Sequence, residues 1–196
     1  MKGLLLPDDD LIAADGGTLH LKRMNLIPRV LIGDLDSVEA DEITRLDAAG
    51  VEIIRYPVEK DETDLELALL YALKYGYAQI MICAALGGRL DQTLGNLSLL
   101  AYPGTENRRV WLDDGMEAVY LIRREITLTG KPGDTLSLIP WYGPACGVTT
   151  RGLRYPLEYE TLYPEHTRGI SNEFVEDQIS VSITGGILLC VHTRSS

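Results

Sequence analysis

VEIIRYPVEKDETDLELALLYALKYGYAQIMICAALGGRLDQ, residues 51–92, reads as a strand, a helix and a second strand in succession, with polar loops between them. Residues 51–54 and 80–84 are short aliphatic or β-branched runs, the signature of buried strands. Between them, Leu65, Ala68, Leu69, Ala72 and Leu73 recur at helical spacing over residues 64–75 and form one apolar stripe. Thr63 and Glu66 make a capping box at the start of that helix, and Gly76 supplies its stop. Such a unit predicts a right-handed crossover between parallel strands, with ligands gathered outside the strand carboxyl ends.

The same grammar runs outward in both directions. Residues 11–14 and 30–32 precede the unit as strands, residues 110–112 follow it, and a second helix over residues 91–101 places Leu94, Leu97 and Ala101 on one side. The expectation is an α/β domain over residues 1–115, a Rossmann-like, mostly parallel sheet with helices on both faces. After about residue 116 the pattern changes to short strands at 119–122, 125–129, 135–139, 147–150, 178–183 and 187–192. Turns such as Lys131-Pro132-Gly133-Asp134 and Gly185-Gly186 separate them, which predicts a small antiparallel β-sandwich over residues 116–196.

Composition removes several classes of function. With 45% hydrophobic and 24% charged residues among 196, the chain has the balance of a globular protein with a buried core. A formal charge of -11 speaks against nucleic acid, whose phosphates demand a basic face, but not against a small phosphorylated ligand bridged by a cation. No stretch approaches the roughly 20 apolar residues that span a bilayer, and MKGLLLPDDD is too short and acidic for a signal peptide, so no membrane partner and a cytoplasmic address are expected. Cys83, Cys146 and Cys190 are odd in number and lie among apolar neighbours, which predicts buried free thiols rather than disulfides or a zinc site. His20, His166 and His192 share no spacing that would make a metal triad, and Trp141 with Tyr142 reads as a packed aromatic corner.

The chemistry concentrates in acidic clusters that follow the strands. Asp34 and Asp36 come two residues apart after 30–32, so extended backbone would point both carboxylates the same way, toward one Mg²⁺. Alone, that pair would read as a polar turn. Lys60, Asp61 and Asp64 stand at the start of the capped helix, where the helix dipole accounts for acidic residues but not for Lys60, whose presence suggests an anionic ligand. In GGRLDQ, Gly87 and Gly88 allow close backbone approach, Arg89 offers a planar fork for phosphate, and Asp91 can accept a proton or ligate metal. Asp15, Gly16 and Gly17 end another apolar run, and Asp113, Asp114 and Gly115 yet another, as loops on the same rim. No Walker A or GxGxxG pattern is present, so phosphate recognition falls to metal, Lys60, Arg89 and helix N-termini.

The ordered set ADGG (14–17), IGDLDS (32–37), KDETD (60–64) and GGRLDQTLGN (87–96) resembles the thiamine pyrophosphokinase family, and TTRGLRYPL (149–157) and GISNEF (169–174) resemble its C-terminal domain. The resemblance implies transfer of pyrophosphate from ATP to thiamine, in a homodimer with thiamine bound between subunits. It implies that Asp34, Asp36 and Asp64 bind Mg²⁺ and the ATP phosphates, with Asp15, Gly16, Gly17, Lys60 and Asp61 on the nucleotide. Arg89, Asp91 and Gln92 would complete the phosphate and acceptor environment, and Ser171, Asn172 and Phe174 would contribute the thiamine site from the partner subunit. One departure is that the family has a strand, loop and helix ahead of ADGG, whereas only residues 1–12 precede that motif here; a parallel crossover needs about a dozen residues, so the nucleotide-binding loop is expected to be shortened. Two other readings stand beside this one. DLDSV also resembles the start of the haloacid-dehalogenase phosphatases, with Asp34 as nucleophile and Asp113-Asp114 as a late acidic pair, although the β-rich second half counts against it. The third is an inactive family member that binds thiamine without turning over ATP.

Overall fold

A computed structural model describes residues 2–195, which divide into two compact units: residues up to 80 with 87–109, and 81–86 with residues from 110 onward. In the first, β1 (Ile12–Ala14), β2 (Val30–Gly33) and β3 (Glu52–Arg55) form a parallel sheet in that order, with Ile12 opposite Val30 and Val30 opposite Glu52. The strand period of two then sorts the side chains. Ala13, Leu31 and Ile53 pack with Leu21 of α1 (Thr18–Arg23) and Ile43 and Leu46 of α2 (Ala40–Ala48). Ile12, Ala14, Val30, Ile32 and Ile54 pack with Leu67, Ala68 and Tyr71 of α3 (Asp64–Lys74). Helices therefore cover both faces, and the middle strand β2 is buried along its whole length.

Local signals set the ends of these elements. Thr63 caps α3 as the sequence predicts, its Oγ1 accepting the Glu66 N–H at 3.2 Å, and Gly76 at φ 80 closes the helix. The next strand, β4 (Gln79–Ile82), stops two residues early because Ala84 holds φ 57, outside strand backbone. Helix α4 (Leu90–Leu99) and strand β5 (Arg109–Asp113) follow. Ahead of β1 there is one 3₁₀ turn, Lys2–Leu4.

Buried Glu42 in the first turn of α2 is held by Arg45 at 2.6 Å and Lys22 at 3.1 Å. The Arg45 guanidinium leads in lowering its carboxyl, which falls from 4.5 to about 2 against the opposing effect of burial. A depressed carboxyl stabilises the fold above its unfolded value, and that contribution is lost as pH falls through the folded one. Urea titrations should therefore find Glu42→Gln less stable than the wild-type chain at pH 6, with the gap closing between pH 4.5 and about 2. A gap that does not change with pH would remove the ion pair as the cause.

The second unit is β-rich. Strands β6 (Glu117–Ile122), β7 (Glu125–Thr129), β8 (Thr135–Pro140), β9 (Ala145–Arg151), β12 (Gln178–Ser182) and β13 (Leu188–Thr193) fall within two residues of the sequence expectation at either end. Two more, β10 (Glu160–Leu162) and β11 (Asn172–Glu173), are too short to leave a period-two pattern. One sheet has the order β10-β9-β12-β7, the other β11-β8-β13-β6-β5-β4. Alternate residues of both, among them Val148, Ile179 and Val181 from one and Ile122, Leu136, Leu138 and Leu188 from the other, form a single core.

Strands β4 and β5, read from sequence as part of the α/β half, are thus hydrogen-bonded into the six-stranded sheet. The cause lies at residues 113–117, which form a tight hairpin turn rather than a ligand loop. Asp114 Oδ1 accepts the N–H groups of Met116 and Glu117, and the Asp114 N–H donates to Glu117 O. Asp113 is buried, and the Arg194 fork engages it at 2.9 and 2.7 Å. The cysteine expectation also needs correction: all three thiols are free, but only Cys190 is buried. Cys146 is exposed because the alternation of β9 turns it outward. Trp141 and Tyr142 meet edge to face at 5.6 Å, with Tyr142 exposed. No helix among the described residues is long and apolar enough to cross a membrane.

Candidate active site

The carboxyl ends of β1, β2 and β3 converge on Gly33, the last residue of β2. Asp15 opens a 3₁₀ turn, Asp15–Gly17, immediately after β1; Asp34 and Asp36 follow β2; Lys60 and Asp64 lie between β3 and α3. A Cβ built on Gly33 would stand 3.1 Å from both Asp15 Cβ and Asp64 Oδ1, so bare backbone is what lets those side chains close over the strand end. Asp15 at φ 40 and Leu35 at φ 65 hold left-handed backbone on either side of it. Strain of this kind persists where surrounding structure fixes it and clusters at functional sites.

One oxygen each from Asp15, Asp34 and Asp36 lies within 4.8 Å of the other two, a spacing that one cation can bridge. Asp15 Oδ1 is buried and has no hydrogen-bond partner among the described residues. A buried, unpaired carboxylate oxygen on a residue grouped with two more carboxylates fits an oxygen-binding divalent ion. The sequence reading placed Asp15 on the nucleotide and gave the third metal position to Asp64. In the structure Asp15 is grouped with Asp34 and Asp36, and Asp64 stands beside them with its buried Oδ1 3.1 Å from the Lys60 ammonium.

Lys60 is about nine-tenths shielded, and its ammonium group reaches Asp34 Oδ2 at 3.0 Å, Asp64 Oδ1 at 3.1 Å and Pro57 O at 3.3 Å. The anions that explain this lysine at a helix start are therefore the site's own carboxylates. Its hydrogen bond leads in holding the Asp34 carboxyl below the usual range, helped by the Asp36 N–H at 3.2 Å, and the same pairing raises Lys60. Ser37 Oγ donates to Asp36 Oδ1, and Gly16 lies beside Ser37, which joins the first two loops. Asp61 is exposed.

At the start of α4, the Arg89 fork is closed on Asp91 at 3.1 and 2.5 Å, and Asp91 also accepts the Gln92 N–H. Both side chains are mostly exposed, so this pair is weak and an incoming phosphate can take the fork from Asp91. Gly87 and Gly88, at φ 79 and 72, provide the turn that leads into the helix.

The candidate residues of the β-rich unit behave differently from one another. Ser171 is exposed at φ 57, and its N–H donates to Ser137 Oγ. Asn172 faces its own fold: Oδ1 accepts the Tyr155 N–H at 3.0 Å while Nδ2 donates to Tyr155 O at 2.7 Å. This fastens the 154–156 loop beside an open cavity of about 190 Å³ lined by Tyr155, Pro156, Arg168, Ile170 and Asn172. Phe174, which the resemblance places in the thiamine site, is wholly buried with its ring stacked on His192 at 4.8 Å and has no face exposed to a ligand. The roles of Gly33 and His192 escaped the sequence reading. The only sequence signal for Gly33 was its place between a buried strand and an acidic pair.

Two family profiles match the chain: "Thiamin pyrophosphokinase, catalytic domain" over residues 3–127 and "Thiamin pyrophosphokinase, vitamin B1 binding domain" over residues 123–188. The chain is 32% identical to thiamine pyrophosphokinase of Bacillus subtilis (strain 168) over 193 residues, covering 93% of this chain and 86% of that one. It is 29% identical to thiamine pyrophosphokinase 1 of Arabidopsis thaliana, covering 98% and 73%. Among solved structures, the crystal structure of the Bacillus subtilis thiamine pyrophosphokinase superposes with a TM-score of 0.89 at 29% identity, covering 100% of this chain and 92% of that one.

Proposed function

This chain belongs to the thiamine pyrophosphokinase family, and from that premise we infer that it transfers the terminal pyrophosphoryl group of ATP to the hydroxyl of thiamine, giving thiamine diphosphate and AMP. The observation that carries this reading to a site is the group of Asp15, Asp34 and Asp36 at the carboxyl ends of adjacent parallel strands, with Asp64 and Lys60 beside it.

In the transfer, the hydroxyl oxygen of thiamine bonds to the β-phosphorus of ATP as the bond to the α-phosphate oxygen breaks, AMP departs, and the hydroxyl proton is taken up. Such a reaction needs positioning and charge neutralisation more than covalent help from the protein. An ATP-using kinase requires a divalent ion, and we assign Mg²⁺, a hard cation suited to carboxylate oxygens, to Asp15, Asp34 and Asp36 with Asp64 adjoining. Bound there, it would neutralise charge on the phosphate oxygens. Lys60 holds the Asp34 and Asp64 carboxylates in place. Asp15, Gly16, Gly17, Lys60 and Asp61 border the nucleotide in this reading. Arg89 turns from Asp91 to phosphate, which leaves Asp91 to accept the hydroxyl proton and Gln92 to orient the acceptor.

We assign the thiamine ring to the segment at Ser171 and Asn172, with Phe174 as its buried support rather than a stacking face. A homodimer with thiamine between subunits is proposed on the same footing; exposed Tyr155, Ile170 and Val175 around that segment support it. A cytoplasmic location accords with three free thiols.

Incubation with ATP, Mg²⁺ and thiamine should yield AMP and thiamine diphosphate in equal amounts. ADP or inorganic phosphate as the sole nucleotide-derived product would sink the assignment. The phosphatase reading is not favoured: both family profiles are of the pyrophosphokinase, and Asp113, its late acidic residue, is buried against Arg194. Nor is the inactive binding protein, since the carboxylate group is intact.

A further inference from the structure

Behind the Ser171–Asn172 segment the β-rich core contains a charged group that the transfer does not use. Asp134 and His192 are each 3% exposed. Asp134 Oδ2 lies 2.8 Å from His192 Nε2 and accepts the Lys131 N–H at 3.0 Å; Oδ1 accepts both the N–H and the hydroxyl of Ser195 at 2.8 Å. Burial alone would push this carboxyl up, but the donors from Ser195, His192 and Lys131 hold it well below the usual range.

The same aspartate grips Phe174 twice. Its backbone carbonyl accepts the Phe174 N–H at 2.9 Å, with Gly133 N–H bonded to Phe174 O at 3.0 Å, and its side chain fixes the imidazole that stacks on the Phe174 ring at 22°. The packing has no slack: a Cβ on Gly130 would come within 2.7 Å of the Phe174 ring, 2.8 Å of Asp134 Oδ2 and 3.1 Å of His192 Nε2. A buried charge is weak evidence for stability, because apolar residues of the same volume would pack as well. What it supplies is one defined arrangement. Strand β11 needs that, since it is only two residues long and its pairing is thin: two residues face β8, and on the other side one isolated bridge joins Leu153 to Phe174 and the Arg154 N–H reaches Glu173 O.

We propose that His192 and Asp134 are positioning residues for thiamine: by locking Phe174 they fix the preceding Ser171–Asn172 segment, and so set thiamine affinity without touching the substrate. The inference rests on the reading that this segment contacts thiamine.

Steady-state kinetics on the full chain test it, with Ser171→Ala, His192→Ala, His192→Gln and Asp134→Asn compared at saturating Mg²⁺. Ser171→Ala should raise the KM for thiamine, which checks the underlying reading. His192→Ala should raise that KM about tenfold while the KM for ATP and kcat at saturating thiamine stay within about twofold. His192→Gln, which restores an amide donor to Asp134, should recover part of the loss. Should the alanine variant fail to fold, His192→Gln and Asp134→Asn, both near in volume, should each show a smaller rise in the same constant. An unchanged thiamine KM in folded His192 and Asp134 variants, with Ser171→Ala impaired, overturns the proposal alone. Equal rises in both KM values overturn it as well, since they mark general loosening. A Ser171→Ala variant indistinguishable from wild type overturns the reading and the proposal together.

Discussion

Replacing Asp34 with Asn is expected to lower kcat for AMP formation by roughly a hundred- to a thousandfold while leaving the chain folded. The substitution keeps the shape of the side chain and removes its charge. It also removes one of two acceptor oxygens that now serve Lys60 at 3.0 Å and the Asp36 N–H at 3.2 Å. The cation site then loses a carboxylate from its group of three, and Lys60 swings its bond wholly to Asp64. Both changes act on charge that develops on the transferring phosphates, so the loss should fall on kcat and on the Mg²⁺ concentration for half-maximal rate, with less effect on the KM for thiamine. A kcat within about threefold of wild type at saturating Mg²⁺ would remove Asp34 from the machinery. The pH profile gives a second check. Because Lys60 leads in depressing the Asp34 carboxyl, its contribution to the rate should be lost at a lower pH than that of an unpaired aspartate.

Gly33→Ala should also lower the rate, for a geometric reason. The residue holds φ 150, which alanine adopts only under strain, and the added methyl would sit 3.1 Å from Asp15 Cβ and Asp64 Oδ1 and 3.2 Å from Asp64 Cγ. Both carboxylates must give way by a few tenths of an ångström. Misplacement of about 1 Å at a positioning site costs on the order of a hundredfold in rate, so these smaller shifts should cost on the order of tenfold. Strand pairing should survive, since the Gly33 carbonyl still accepts the Tyr56 N–H. The expected result is therefore a cooperative fold, a kcat lowered by about one order of magnitude, and a weakened dependence on Mg²⁺. Gly95→Ala in α4, where a Cβ meets open space, serves as the contrast: it should raise stability by about 0.5–1 kcal/mol. If Gly33→Ala turned over at the wild-type rate, Asp15 and Asp64 would not need their present closeness.

Much of this was legible in the chain because it depends on near neighbours. The stripe from Leu65 to Leu73, the Thr63 cap and the Gly76 stop are local signals, and α3 ends within one residue of where they place it. The position of Asp15, Asp34 and Asp64 just past strands or at a helix start was equally readable, since strand ends and caps are set by a few residues of sequence. Strands β10 and β11 were not, because two or three residues carry no period and their pairing is decided by β9 and β8.

The sequence by itself determined the strand-helix alternation, the change to antiparallel strands after residue 116, and the acidic clusters that end the first strands. Only the tertiary structure decided which groups meet. Asp15 joins Asp34 and Asp36, Lys60 bridges Asp34 and Asp64, Asn172 turns to the Tyr155 backbone, and Phe174 lies beneath its segment against His192. Hydrophobic period and capping act over a few residues, so they can be read along the chain. Side-chain direction in a loop is set by backbone angles such as φ 40 at Asp15 and by neighbours distant in sequence, 58 residues apart for Asp134 and His192, and these exist only once the chain has closed on itself.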